Sequence, residues 1–322
     1  MKALVLKEKD QPLVYGPWPN PEPAEGDTLV EIKAAAMNHR DVYITQGLYP
    51  GIDYPIILGS DGVGLSEGKE VIINPGIGWG NNVQFPAKSF SILGLPRNGT
   101  FAEACAVPRE QLFLKPKHLN WEEAAALPLG GLTAYRALFT KGQIESGHKV
   151  LITGIGGGVA LFAFQFAIAA GAEVYVTSGS DNKILEAKRL GAAGGANYRE
   201  ENWHKKLTGM AGGFDLIVDS AGGNGFALLV KCCNPGASIV TYGGTRGVVN
   251  GLSPQIIFWK QLNILGTSMG SAEEFGKMLD FVSQHRIKPI IDSIYTLAEG
   301  SDAFERMSKG LQFGKIVFKI EG

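Results

Sequence analysis

Apolar, β-branched runs that stop at glycine, each followed by a helical period, organise the middle of this chain. Lys149–Gly154 reads as a strand, and the apolar stretch Val159–Ala172, broken only by Gln165, reads largely as a buried helix. A strand at Ala172–Thr177 leads to a helix over Asn182–Leu190 that Gly191 ends, and further strands are expected at Phe214–Asp219, Ser238–Gly243 and Asn263–Ser268. Strands spaced by helices make a parallel, doubly wound sheet, so the fold class is α/β. The first part of the chain patterns differently. Lys2–Leu6, Thr28–Ala34, Glu70–Ile73 and Thr100–Val107 have strand-like composition and are separated by Pro and Gly clusters such as residues 16–21. A helix is expected at Trp121–Leu127, with Asn120 as N-cap and Glu122 and Glu123 in its first turn. Beyond Ser271 one more helical period precedes short strands at Ser293–Leu297 and Lys315–Ile320. With no helix alternation left there, the tail is expected to rejoin the β-rich first part. The resulting division is 1–121, 122–270 and 271–322.

Composition narrows the class. A chain of 322 residues, 45% hydrophobic and 19% charged, has ample apolar material for two cores. A net charge of −1 and the lack of a basic stretch argue against nucleic acid or an acidic membrane as partner. Val159–Ala172 is too short to span a bilayer, and the N-terminus reads as a first strand rather than a signal peptide. The three cysteines, Cys105, Cys232 and Cys233, make no disulfide framework, and the last two are read as core residues of a helix. A reducing, cytoplasmic location is expected.

The strand at Lys149 turns into its helix through Thr153-Gly154-Ile155-Gly156-Gly157-Gly158-Val159-Ala160. A strand, a tight glycine turn and a helix N-terminus cradle a pyrophosphate, because glycine permits close backbone approach and the first-turn amides point at the anion. The spacing fits Gly154, Gly157 and Ala160 better than a strict G-x-G-x-x-G, whose last glycine place Val159 holds. A tight βα turn without a ligand is the alternative. At the end of the second strand, where NAD sites carry an acid for the ribose hydroxyls, this chain has Ser178, followed by Ser180 and Lys183. Hydroxyls and a lysine suit a 2′-phosphate, so NADP(H) is expected, with Asp181 as the one discordant charge. Ser180 or Asp181 also suits a helix cap.

Several blocks together resemble the medium-chain dehydrogenase/reductase superfamily, in its zinc-free, quinone-oxidoreductase-like branch. They are residues 36–43 (AMNHRDVY), 58–64 (LGSDGVG), 99–103 (GTFAE), 123–128 (EAAALP), 131–135 (GLTAY), the glycine turn, 197–200 (NYRE) and 314–317 (GKIV). The resemblance implies a Rossmann domain inserted in a discontinuous GroES-like β-barrel catalytic domain, with the active site in the cleft. Zinc-dependent members place Cys and His ligands where this chain has Asn38 and Ser60, and a cysteine before the 131–135 block, where none occurs. The loop from Gly76 to Gly99 also lacks the four cysteines of a structural zinc lobe. Asn and Ser are poor zinc ligands, so no metal is expected. Without a Lewis acid, hydride chemistry suits acceptors that are already electrophilic, namely quinones or the activated C=C bonds of enones and enals.

By resemblance, Asn38 touches the nicotinamide and substrate end, and Tyr43 is a pocket wall or proton donor. Thr133 meets the nicotinamide, and Tyr198 lies near the adenosine 2′-phosphate. Gly243, Gly244 and Thr245 follow one strand end and Ser268, Met269 and Gly270 another, where doubly wound sheets bind ligands. Lys315 is expected to close over the cofactor. Gly154, Gly156, Gly157, Gly158 and Val159 form the phosphate turn. The alternatives are an NADPH-binding protein without enzymatic activity (crystallin-like or RNA-binding) and a zinc alcohol dehydrogenase. A homodimer paired through Asn263–Ser268 is implied, since pairing covers an exposed strand edge.

Overall fold

The computed structural model describes residues 1–321. The chain divides into two compact units, Thr133–Ser268 and the combination of Met1–Leu132 with Met269–Gly322.

The contiguous unit is built on a six-stranded parallel sheet. Its spatial order is Gly194–Asn197, Glu173–Ser178, Lys149–Ile152, Phe214–Asp219, Cys233–Thr241 and Asn263–Gly266. Val150, Leu151 and Ile152 are fully buried, as a central parallel strand covered on both faces requires. The helix Gly158–Ala169 buries Ala160, Leu161, Phe162, Ala163, Phe164, Phe166 and Ala167, so it is apolar nearly all round. Strand order reverses between Lys149–Ile152 and Phe214–Asp219, the switch point where such sheets bind ligands.

Two details depart from the sequence reading. Gly194–Asn197 is a strand although Gly-Gly-Ala-Asn has no strand propensity. Its ladder comes from Glu173–Ser178, and Ile184 and Val176 fill the space above Gly195, 2.8 and 3.0 Å from where a Cβ would stand. Cys232 and Cys233 do not share a helix: Phe226–Cys232 ends there and the next strand begins at Cys233. Both thiols are buried as expected.

The discontinuous unit surrounds the long strand Asp27–Ala36. This strand pairs antiparallel with Asp61–Ser66 and Ala104–Pro108, and with Lys315–Lys319 from the tail. Phe101 meets Phe318 and Phe304 edge-on in its core. The expected strand from Thr100 starts only at Ala104, because Thr100 turns inward and donates its hydroxyl to the Asp61 carbonyl at 2.8 Å. The tail does rejoin this unit, but with a helix: Ile291–Thr296 and Lys315–Lys319 are parallel neighbours, and Gly300–Ser308 lies between them in the chain. Parallel neighbours need such a crossover. The helix Trp121–Ala126, capped by Asn120, packs on Asp27–Ala36, Asp61–Ser66 and Lys315–Lys319. The unit boundary therefore falls after Leu132 rather than after residue 121, and Met269 and Gly270 belong to the discontinuous unit. Among the described residues, no helix is long and apolar enough to cross a membrane.

Candidate functional site

In the contiguous unit the glycine turn lies at the switch point. Gly154 and Gly156 have φ of 68° and 116°, so these two need glycine for conformation. Gly157 has an extended backbone and N-caps the helix that starts at Gly158 and Val159. Lys183 lies across the turn: a Cβ at Gly156 would stand 2.8 Å from its Cδ and 3.4 Å from its Nζ. Thr153 Oγ1 donates to Asp219 Oδ1 at 2.7 Å, and Asp219 Oδ2 accepts from Gly222 N at 2.8 Å. These bonds tie the ends of the two switch-point strands together.

At the end of the second strand, the buried Ser178 accepts from Ser180 N at 3.2 Å. Asp181 turns aside and accepts from Asn197 Nδ2 at 3.0 Å. Above Gly179 stand the Tyr198 hydroxyl and Arg199 Nε, 2.7 and 2.9 Å from where a Cβ would be. Arg246 lies over the Tyr198 ring, 5.5 Å from its centroid. A cavity of about 640 Å³ opens here, lined among others by Gly154, Tyr198, Arg199, Thr245 and Arg246. The loops carrying Gly222 and Thr245 are joined by Arg246 N donating to Ala221 O at 2.8 Å. Gly243 is packed too closely on Ser220 O for a side chain, while Gly244 is open. The turn and its cationic surround fit a dinucleotide phosphate. Arg199 and Arg246 escaped the sequence reading: Arg199 stood in the 197–200 block without a role, and Arg246 lies in a glycine-rich loop.

Thr133 is buried at the start of this unit, within the helix Pro128–Tyr135, and Ser268 is exposed at its end. Met269 is buried with a left-handed φ of 52°, and Gly270 lies against Leu132.

In the discontinuous unit, Asn38 caps the short helix His39–Thr45 and is buried. Its Nδ2 donates to Asp61 Oδ2 at 2.9 Å, and its Oδ1 accepts from Lys315 Nζ at 2.8 Å. Lys315 also bonds Asp61 Oδ2 at 2.8 Å. Ser60 accepts from Arg40 Nη1 at 2.7 Å and donates to Leu93 O at 2.8 Å. The oxygens of Asn38 and Ser60 are thus taken by cations, an arrangement that does not suit a divalent metal. Tyr43 is half-buried, its ring 6.4 Å from that of the exposed His39.

Asp41 is fully buried; Oδ2 accepts from Asn38 N at 2.8 Å, and Oδ1 has no hydrogen-bond partner. Burial pushes its carboxyl from 3.8 to about 6, against the pull of Arg40. The folded state then holds this proton more tightly than the unfolded chain, so its contribution to stability falls as pH rises from about 4 to about 6, by about 3 kcal/mol. Asp41→Asn keeps an acceptor for Asn38 N and should flatten that slope. Urea unfolding at pH 4.5, 5.5 and 7 checks this; parallel slopes in variant and wild type would refute it.

A doubly wound sheet with a glycine turn, in one chain with a sheet unit closed by both chain ends, defines a dinucleotide-binding oxidoreductase architecture. Residues 24–117 match the family model of the alcohol dehydrogenase GroES-like domain, and residues 158–284 that of the zinc-binding dehydrogenase. The zinc-type alcohol dehydrogenase-like protein YogA of Leptosphaeria maculans is 36% identical, over 96% of this chain and 95% of its own. The structure of an NAD-dependent alcohol dehydrogenase is 33% identical, with a TM-score of 0.93 over 100% of both chains. The quinone oxidoreductase from Thermus thermophilus, solved also with NADPH, is 26% identical, with a TM-score of 0.82 over 99% of this chain and 100% of that one. The chain belongs to the medium-chain dehydrogenase/reductase superfamily, and it is an oxidoreductase with a Rossmann domain and a GroES-like domain.

Proposed function

We propose that the chain is an NADPH-dependent, zinc-independent reductase of quinones or of the activated C=C bonds of enones and enals. The observation that carries this reading is the Lys315 ammonium, bonded to Asn38 Oδ1 and Asp61 Oδ2 beside the positions that hold metal ligands in zinc-dependent members. A cation already bonded there opposes a second one, and a protein without a Lewis acid favours an acceptor that is itself electrophilic. The bound cofactor supplies the hydride. Gly154, Gly156 and the first amides of Gly158–Ala169 would hold its pyrophosphate, with Lys183, Tyr198 and Arg199 around its 2′-phosphate. Thr133, Gly243, Gly244, Thr245, Ser268, Met269 and Gly270 would border the rest of it. Asn38 Nδ2 donates to the acceptor's oxygen, and Tyr43 or solvent supplies the proton. The NADPH complex of the Thermus thermophilus enzyme supports the cofactor choice; the NAD-dependent relative pulls the other way. The balance rests on the cations around Gly179 and on Ser178, where an acid would repel the phosphate.

A steady-state panel of quinones, enals and enones with NADPH and NADH, combined with elemental analysis, tests the reading. NADPH-linked turnover without stoichiometric zinc is the expected result; stoichiometric zinc, or NADPH binding with no acceptor reduced, overturns it.

A homodimer belongs to the same proposal. Asn263–Gly266 is the outer strand of its sheet, with Ile264 38% exposed, and the nearby helix Pro254–Lys260 leaves Phe258 and Trp259 54% and 79% exposed. A second copy pairing at this edge would cover them. Light scattering should give a dimer for the wild type and a monomer for a Trp259→Lys, Ile264→Lys double variant; an unchanged mass would place any interface elsewhere.

A further inference from the structure

The Asn38 amide is held by two partners of opposite chemistry. An ammonium only donates, and Lys315 Nζ donates to Asn38 Oδ1 at 2.8 Å. A carboxylate only accepts, and Asp61 Oδ2 accepts from Asn38 Nδ2 at 2.9 Å. The two charges also bond each other at 2.8 Å, with side chains 4% and 0% exposed. Half a turn of the amide would set its NH2 against the ammonium and its oxygen against the carboxylate. Both contacts are repulsive, and burial leaves little water to screen them. Only one orientation of Asn38 is therefore compatible with the pair.

The pair is itself fixed by the sheet. Ala36 is in register with Asp61 on one side and Val317 on the other, so adjacent strands deliver the two charges to either flank of the segment that leads into Asn38. Asp61 Oδ1 accepts from Leu129 N at 2.8 Å, which anchors the carboxylate a second time. Groups carried on paired strands hold a side chain more tightly than a loop does. In this orientation one Nδ2 hydrogen goes to Asp61 and the other has no partner among the described residues.

We propose that Lys315 and Asp61 are positioning residues that lock the Asn38 amide, with its second Nδ2 hydrogen left to donate to the acceptor's oxygen. The use of that hydrogen rests on the reductase reading above; the locking does not.

Two measurements on the full-length protein separate these parts. The first is steady-state kinetics with NADPH and whichever of p-benzoquinone or a simple enone the wild type reduces. Lys315→Met and Asp61→Asn should each lower kcat by about 100-fold. The Kd for NADPH should stay within about twofold, since the residues proposed for its pyrophosphate and 2′-phosphate lie in the other unit. Lys315→Arg should recover most of kcat. In an Asn38→Ala background, Lys315→Met should change kcat by less than about twofold, because its target is gone. An unchanged kcat in Lys315→Met, or a loss that multiplies the loss from Asn38→Ala, overturns the proposal. The second measurement is 15N relaxation of the Asn38 side chain in asparagine-labelled protein. Its order parameter should be about 0.85 in the wild type and below about 0.6 in Lys315→Met. A rigid amide in the variant overturns the locking. A wild type that reduces no acceptor overturns the reductase reading alone, and the relaxation measurement still decides the lock. Lys315→Gln serves both measurements if Lys315→Met does not fold.

Discussion

Ser178→Asp is expected to shift cofactor preference from NADPH toward NADH by about 100-fold or more. Ser178 ends the second strand of the parallel sheet and is buried. Apart from Asp181, which turns aside to Asn197, the side chains gathered near it are hydroxyls and cations. Lys183 reaches across Gly156, and Tyr198 and Arg199 converge above Gly179. A carboxylate at 178 would face a phosphate dianion, and like charges so close cost several kcal/mol. The same carboxylate would accept hydrogen bonds from the free ribose hydroxyls of NADH. The loss for one cofactor and the gain for the other add in the ratio. Fluorescence titration of the variant with both cofactors measures it. An unchanged ratio would mean that the 2′ end of the cofactor does not lie at Ser178.

The largest effect on stability is expected from Gly64→Ala. A Cβ at Gly64 would stand 1.9 Å from the Glu31 carbonyl oxygen and 2.7 Å from its carbon. Both atoms are backbone of the neighbouring strand, so no side chain can swing away. The register of this pair shifts between Ile32 and Ala34, next to the contact. Adding one methyl must force the strands Asp27–Ala36 and Asp61–Ser66 apart, at the pair of strands that sets Asp61. The cost should exceed about 4 kcal/mol, against a total of about 5–15 kcal/mol for a typical domain. Calorimetry should record a fall of about 10 °C or more in the transition of the discontinuous unit, or no soluble protein. Gly16→Ala, where a Cβ meets nothing within 4 Å, is the control and should be close to neutral. If both variants melt together, strand spacing in this unit is softer than the geometry indicates.

Hydrophobic periodicity carried the parallel sheet well, because buried strands such as Lys149–Ile152 and Phe214–Asp219 are β-branched runs bounded by glycine. It failed at Gly194–Asn197, whose strand character is supplied by its neighbour rather than by its own residues. It also missed Gly300–Ser308, since the tail gave no sign that its two strands run parallel. At the site, the sequence points to both Asn38 and Lys315 but does not reveal that the two are bonded. The bond from Lys315 to Asp61 joins residues 254 positions apart, and an aspartate flanked by Gly59, Ser60 and Gly62 looks like a turn residue. Only the strand register brings them together. Arg199 and Arg246 are obscure for a similar reason, since their meaning depends on Arg199 and Tyr198 meeting above Gly179 and on Arg246 lying over the Tyr198 ring.

The tail strand Lys315–Lys319 also sets an order for synthesis. The unit Thr133–Ser268 is contiguous and can close while the ribosome is still working. Its companion cannot, because Asp27–Ala36 lacks the third of its neighbours until residues 315–319 emerge. At about 5–20 residues per second, the 254 residues from Gly62 to Lys315 take about 10–50 s to make. Throughout that time Asp61 has no Lys315 to pair with, and the half-built sheet exposes an open edge. The nascent N-terminal segment is therefore the part of this protein that stays incomplete longest, and a product ending before residue 315 would keep that strand edge open while its parallel sheet can already be complete.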